Sequence, residues 1–226
     1  VVSGKTRKYI TKDSLKAVDV PVRSINDLVE SVRTSVRIKE VEKQLDAVDK
    51  EIIFVGRMAT EKALPKLLKI WGMVQDKLPD WKLTLVGDGP QFGTCRQIIA
   101  EKKLKRVCLT GHQMSIPYID RARILCLTSV IEGLPTVFTE AMSLGVIPIE
   151  FDSFNAIYDM IDDGIDGFII PDNNYEQYAE TILRLAQNDT LRCRIAYKAQ
   201  KRKNRYDIEQ VGPLWMETFR KHGLIK

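Results

Sequence analysis

The sequence is poor in the residues that most metal and thiol chemistry requires. Its 226 residues include only two histidines, His112 and His222, so a transition-metal centre built on imidazoles has little support. The four cysteines, Cys95, Cys108, Cys126 and Cys193, lie far apart, three of them among apolar neighbours. That arrangement reads as free buried thiols in a reducing compartment and excludes a disulfide framework. No apolar run approaches the ~18 residues that a membrane span needs. The opening residues carry Lys5, Arg7 and Lys8 with no apolar stretch behind them, so they do not read as a secretion signal. No repeat or low-complexity tract is visible, which excludes a solenoid. The expectation is a cytoplasmic chain with one sizeable core.

The net charge of +5 is modest for this length. The positive residues are spread out except for Lys198, Lys201, Arg202, Lys203 and Arg205. This cluster reads as a solvated helix face or helix end, where cations are favoured; docking against anionic lipid is the minority reading. Nucleic acid is not an expected partner.

From Glu51 onward short apolar runs alternate with longer amphipathic segments. Strands are expected at Ile52–Val55, Leu83–Val86, Val107–Leu109, Ile124–Leu127 and Val146–Ile149. Helices are expected over about Glu61–Lys77, Phe92–Lys103 and Thr136–Leu144, with more from about Tyr175. Fully apolar strands alternating with helices are the pattern of a parallel sheet covered on both faces. The fold class is therefore α/β, a Rossmann-like doubly wound parallel sheet, with ligand at the carboxyl ends of the strands. Residues 51–205 form this domain and 206–226 a C-terminal helix. Residues 1–50 contain no glycine after Gly4 and space Ile25, Leu28, Val29, Val32 and Val36 at helical intervals, with Ser24 and Asp27 resembling a capping box. They read as a linker with one or two helices.

Three segments could carry chemistry, each lying between a strand and a helix. Gly56-Arg57-Met58-Ala59-Thr60-Glu61-Lys62 offers a glycine for close approach and two cations, which suits a diphosphate; ordinary surface charge is the alternative. Gly87-Asp88-Gly89-Pro90 permits a tight turn near a ligand or is a plain turn; it is not a dinucleotide fingerprint, because Gly93 falls one position late. Ser129 through Met142 places Glu132 near a strand end and Glu140 about a turn into the next helix. Gly133 and Pro135 between them allow a sharp turn with amides free for an anion. Glu140 among Val137, Ala141 and Leu144 is costly unless satisfied, and vicinal sugar hydroxyls would satisfy it. Capping or structural roles for both glutamates are the alternative.

In order and spacing these elements resemble the C-terminal domain of glycosyltransferase family 4, retaining sugar transferases of the GT-B fold. The resemblance runs from about Ile52 to Ala186. It rests on Gly56-Arg57 with Lys62, Gly87-Asp88-Gly89-Pro90, Val107 to Gly111, Ser129-x-x-Glu132-Gly133, the seven-residue spacing of Glu132 and Glu140, Glu140-Ala141-Met142 with Gly145 and Pro148, and Asp163-Gly164 with Asp166-Gly167. It implies that Arg57 and Lys62 hold the donor diphosphate and stabilise the leaving nucleotide, and that Glu132 contacts the donor sugar; these three are the catalytic set. Glu140 would accept the ribose hydroxyls. Gly56 and Gly87, with the Gly133, Leu134, Pro135 and Thr136 backbone, would line sugar and phosphate, while Gly111 and His112 would lie near the base.

The implied function is transfer of a hexose from a nucleotide-diphosphate sugar, UDP favoured, with retention, in polysaccharide or glycolipid biosynthesis. No metal or other cofactor is required. Neither glutamate acts as the nucleophile of a retaining glycosidase. The expected partners are the nucleotide sugar, an acceptor-binding N-terminal domain that residues 1–50 cannot contain, in the same polypeptide or a partner chain, and a peripheral membrane contact. A non-catalytic nucleotide-sugar-binding module is the alternative. The sequence departs from the family at Ala63, usually glycine, at Asn155-Ala156, usually Gly-Gly, and at Asp159, usually glutamate.

Overall fold

The computed structural model describes residues 50–202 and 208–225. The helical reading of residues 1–49 lies outside them. Six strands, β1 (Glu51–Val55), β2 (Lys82–Val86), β3 (Val107–Leu109), β4 (Ile124–Cys126), β5 (Ile147–Asp152) and β6 (Phe168–Pro171), form one sheet in the order β3-β2-β1-β4-β5-β6. Every pairing is parallel, Ile52 lying opposite both Leu83 and Ile124 in the centre. The strands are almost wholly apolar because both faces are covered by helices.

The helices are α1 (Leu64–Val74), α2 (Phe92–Glu101), α3 (Ile116–Arg121), α4 (Thr136–Ser143), α5 (Ile157–Met160), α6 (Tyr175–Gln187), α7 (Asp189–Arg202) and α8 (Ile208–Lys221). α1 packs on α2 and α6, while α4 packs on α3 and α7. α1 buries Leu64, Leu67, Leu68, Ile70, Trp71 and Val74, and the Trp71 indole donates to the Lys105 carbonyl at 2.9 Å. The sheet runs outward in opposite directions from β1 and β4, so the loops after these strands diverge. That divergence opens a crevice at the carboxyl ends. At the amino end, buried Glu51 is instead consumed by structure, accepting from Arg121 Nε at 3.0 Å and pairing with Lys82 at 3.4 Å.

The structure departs from the expected helix over Glu61–Lys77. A 3₁₀ turn at Thr60–Lys62 precedes α1 and another follows at Gln75–Lys77, with a reversal at Ala63, whose φ of 46° and ψ of 40° are left-handed. The reversal is held by Ala63 N–H donating to Thr60 O at 3.1 Å and by the Thr128 hydroxyl, shared between the Lys62 and Ala63 carbonyls at 3.1 and 3.2 Å. A Cβ in this conformation costs roughly 1–2 kcal/mol. Ala63→Gly should therefore raise stability by about 1 kcal/mol net of glycine's greater unfolded freedom, read as a melting temperature roughly 3 °C higher. A lower one would mean the reversal is not strained.

β6, α3 and α5 were not among the expected elements. Cys95, Cys126 and Cys193 are free and buried as expected, with burial pushing the first two thiols up to about 11 and about 12, whereas Cys108 is exposed. At the end of α7, Arg202 is not solvated but tied to Asp162 and to Asp166 at 3.1 Å. Lys203 and Arg205 lie outside the described residues. Among those residues no helix is long and apolar enough to cross a membrane, and no cluster could hold a metal ion.

Candidate functional site

The loops after β1, β2 and β3 are joined backbone to backbone. Gly56 N–H donates to Val86 O at 3.0 Å, Met58 N–H to Asp88 O at 2.9 Å, Gln91 N–H to Met58 O at 2.8 Å and Gly87 N–H to Gly111 O at 2.9 Å. Only glycine permits this approach. A Cβ on Gly87 would stand 1.9 Å from the Gly56 carbonyl oxygen, and one on Gly89 would stand 2.7 Å from that of Met58. The joined loops leave an open cleft of about 720 Å³ bordered by Gly56, Arg57, Gly87, Asp88, His112 and Gln113. That is ample for a nucleoside diphosphate. Arg57 and His112 are exposed at its edge, and the Arg57 guanidinium has no partner among the described residues. Gly111 does not border the cleft; it anchors Gly87.

Lys62, Glu132 and Glu140 do not border this cleft either. Lys62 and Glu132 are brought together across the β1 and β4 loops as an ion pair, only 19% and 12% exposed. The Ser129 hydroxyl donates to the same Glu132 oxygen at 2.8 Å, and Val130 N–H donates to Glu61 O at 2.8 Å, locking the two loops. Behind the pair lies Glu150 on β5, fully buried, with one oxygen accepting from Phe151 N–H at 2.9 Å and the other without a protein partner among the described residues. Burial holds its carboxyl well above the usual range; the Phe151 amide opposes this, Glu132 adds to it and Lys62 opposes it.

Between β4 and α4, Gly133, Leu134 and Thr136 are exposed and Pro135 is buried. Gly133 is not left-handed and a Cβ there would meet nothing, so the turn itself does not demand glycine. α4 begins without a side-chain cap and without an acid in its first turn, leaving its first amides available to an anion. Glu140, half-buried on α4, is satisfied within the protein by the Ser115 hydroxyl at 3.1 Å rather than left bare.

The sequence reading did not include Ser115 or Glu150, nor a role for Ser129. Glu150 carries a signal, an acid inside the apolar strand Ile147–Phe151. Ser115 carries none, since its contact to Glu140 depends on how α3 is seated.

Fold and cleft together define a Rossmann-like α/β domain with an open cleft at the carboxyl ends of its strands. The model of the family Glycosyl transferases group 1 matches residues 36–202, and the chain belongs to that family. An uncharacterised glycosyltransferase of Haemophilus influenzae is 28% identical over 174 residues, covering 74% of this chain and 48% of the relative. A solved C-terminal domain of a group 1 family protein from Francisella tularensis superposes with a TM-score of 0.64 at 20% identity, over 73% of this chain and 91% of that one. The Anabaena protein HepE, solved with UDP-glucose, gives 0.70 at 22% identity over 81% of this chain and 52% of that one. The fold is thus that of the C-terminal domain of GT-B glycosyltransferases. The chain spans about half the length, or less, of the curated relatives it matches.

Proposed function

We propose that this domain binds a nucleotide-diphosphate sugar, UDP-linked, and that the protein to which it belongs transfers the hexose with retention to an acceptor in polysaccharide or glycolipid biosynthesis, as in glycosyltransferase family 4. The observation that carries the reading is Arg57, a guanidinium without a partner among the described residues, at the edge of a glycine-lined cleft at the carboxyl ends of β1, β2 and β3. Arg57 and Lys62 hold the diphosphate and stabilise negative charge as the sugar–phosphate bond breaks. Glu132 turns from Lys62 to the sugar hydroxyls, and the open α4 amides with Gly133–Thr136 face the phosphate and sugar. Glu140 takes the ribose hydroxyls, held ready by Ser115. Gly56, Gly87 and Gly111 shape the cleft, and His112 borders the base. Fixed cations supply the charge, so no metal is needed. Most of the acceptor site belongs to a second, N-terminal domain, in the same polypeptide or a partner chain, and the complete protein works in the cytoplasm against the membrane surface.

The test is calorimetric titration of the chain with UDP, UDP-glucose, UDP-galactose, UDP-N-acetylglucosamine and GDP-mannose. Selective binding of one nucleotide is the expected result; failure of all of them sinks the donor assignment for this chain. Glu140→Ala should weaken UDP and uridine alike, by about 1.5–3 kcal/mol for a charged hydrogen bond lost. Unchanged affinity would remove the ribose assignment. A second reading is a nucleotide-sugar-binding module without chemistry. It predicts donor binding with no transfer by the complete protein.

A further inference from the structure

Tyr158, on α5, exposes 57% of its surface at the carboxyl-end face, where an aromatic ring gains nothing from the core. Its hydroxyl is nevertheless fixed, donating to Asp152 Oδ2 at 2.7 Å, and this bond to a carboxylate raises the phenol's pKa, keeping it a donor. Asp152 is the last residue of β5 and is itself exposed. The next residue, Ser153, donates to the carbonyl of Ser129, whose hydroxyl holds Glu132. The ring is therefore tied through two adjacent residues to the loop proposed to hold the donor sugar. From the neighbouring β4 loop Ile131 and Leu134 are also exposed.

A pyranose offers an apolar C–H face and pairs of hydroxyls. An anchored aromatic face beside a carboxylate oxygen is complementary to both. The surroundings of the ring are acidic, with Asp152 and Asp163 both exposed and both acting electrostatically on Tyr158. Such a field repels phosphate-bearing chains.

We propose that Tyr158 and Asp152 form a platform for the sugar ring of the acceptor, and that this acceptor is an uncharged saccharide rather than a polyol phosphate. The proposal rests on the donor reading above for its place in the reaction, but not for its binding test.

The experiment titrates the chain, with and without UDP, against maltose, cellobiose, chitobiose and glycerol 3-phosphate by protein NMR. At least one disaccharide should bind and perturb the Tyr158 ring signals, and glycerol 3-phosphate should not. Tyr158→Ala should weaken that disaccharide about tenfold, the equivalent of ~1.4 kcal/mol, with Tyr158→Phe and Asp152→Asn between it and the unmodified chain. UDP affinity should be unchanged in all three, which also reports that each is folded. The platform is overturned if no disaccharide binds, if Tyr158→Ala binds it equally well, or if glycerol 3-phosphate binds more tightly. It is overturned as an acceptor site if Tyr158→Ala weakens UDP-glucose but not UDP. Loss of UDP binding by the unmodified chain removes the donor reading alone, because the titrations without nucleotide still decide the platform.

Discussion

Replacing Lys62 by alanine is expected to abolish most diphosphate binding while sparing the nucleoside. Under the proposed function the side chain has two duties that a double substitution separates. Within the protein it neutralises Glu132, of which only 12% is exposed, beside the buried acid Glu150. Removing it leaves a poorly solvated carboxylate with the Ser129 hydroxyl as remaining support, at a cost of about 1–2 kcal/mol after allowing for partial solvent access. Toward the ligand, a charge-assisted contact is worth about 1.5–3 kcal/mol, or roughly ten- to 150-fold in UDP affinity. Adding Glu132→Gln to Lys62→Ala should restore the lost stability, since no charge is then stranded, without restoring UDP affinity. Calorimetry with UDP and uridine side by side checks the assignment. Equal losses for both ligands would take Lys62 away from the phosphates.

The second large effect is expected at Gly87. Alanine there places a Cβ 1.9 Å from the carbonyl oxygen of Gly56, at a φ of 142° that side chains rarely adopt. Neither partner is a flexible side chain, so the β1 and β2 loops must separate. The bonds Gly56 N–H to Val86 O and Gly87 N–H to Gly111 O are the ones that would break. Strain of this kind belongs to the short list of causes that exceed ~3 kcal/mol, which for this chain length is a fall of roughly 10 °C in melting temperature. Gly133→Ala is the control, because a Cβ there meets nothing and the melting temperature should not move. Equal melting temperatures for Gly87→Ala and the unmodified chain would mean the loops are not joined as described.

The sheet was legible because the central strands are almost wholly apolar, and glycines mark where β1, β2 and β3 end. Gly87 and Gly111 signalled their own contact only as residues able to make one; that they meet each other follows from β2 and β3 being neighbours. Ala63 misled because a helical period continues through it, and a left-handed reversal leaves no trace in the spacing of apolar residues. β6 is a four-residue edge strand behind two aspartate–glycine turns, too short for its pattern to stand out. At the site, the types and order of Arg57, Lys62, Glu132 and Glu140 were readable, but their pairing was not. Lys62 and Glu132 are 70 positions apart, and only the adjacency of β1 and β4 brings them together. The Ser115 contact to Glu140 was hidden for the same reason, since α3 reaches α4 through tertiary packing alone.

The Lys62–Glu132 ion pair has a consequence for turnover under the proposed function. A complete donor compensates both partners when it separates them, the diphosphate for the lysine and the sugar hydroxyls for the glutamate. After transfer, the spent nucleotide still recruits Lys62 but offers nothing to Glu132. Re-forming the pair then favours departure of the nucleotide, so the protein should hold its donor more tightly than its product and resist product inhibition through a contact that involves neither.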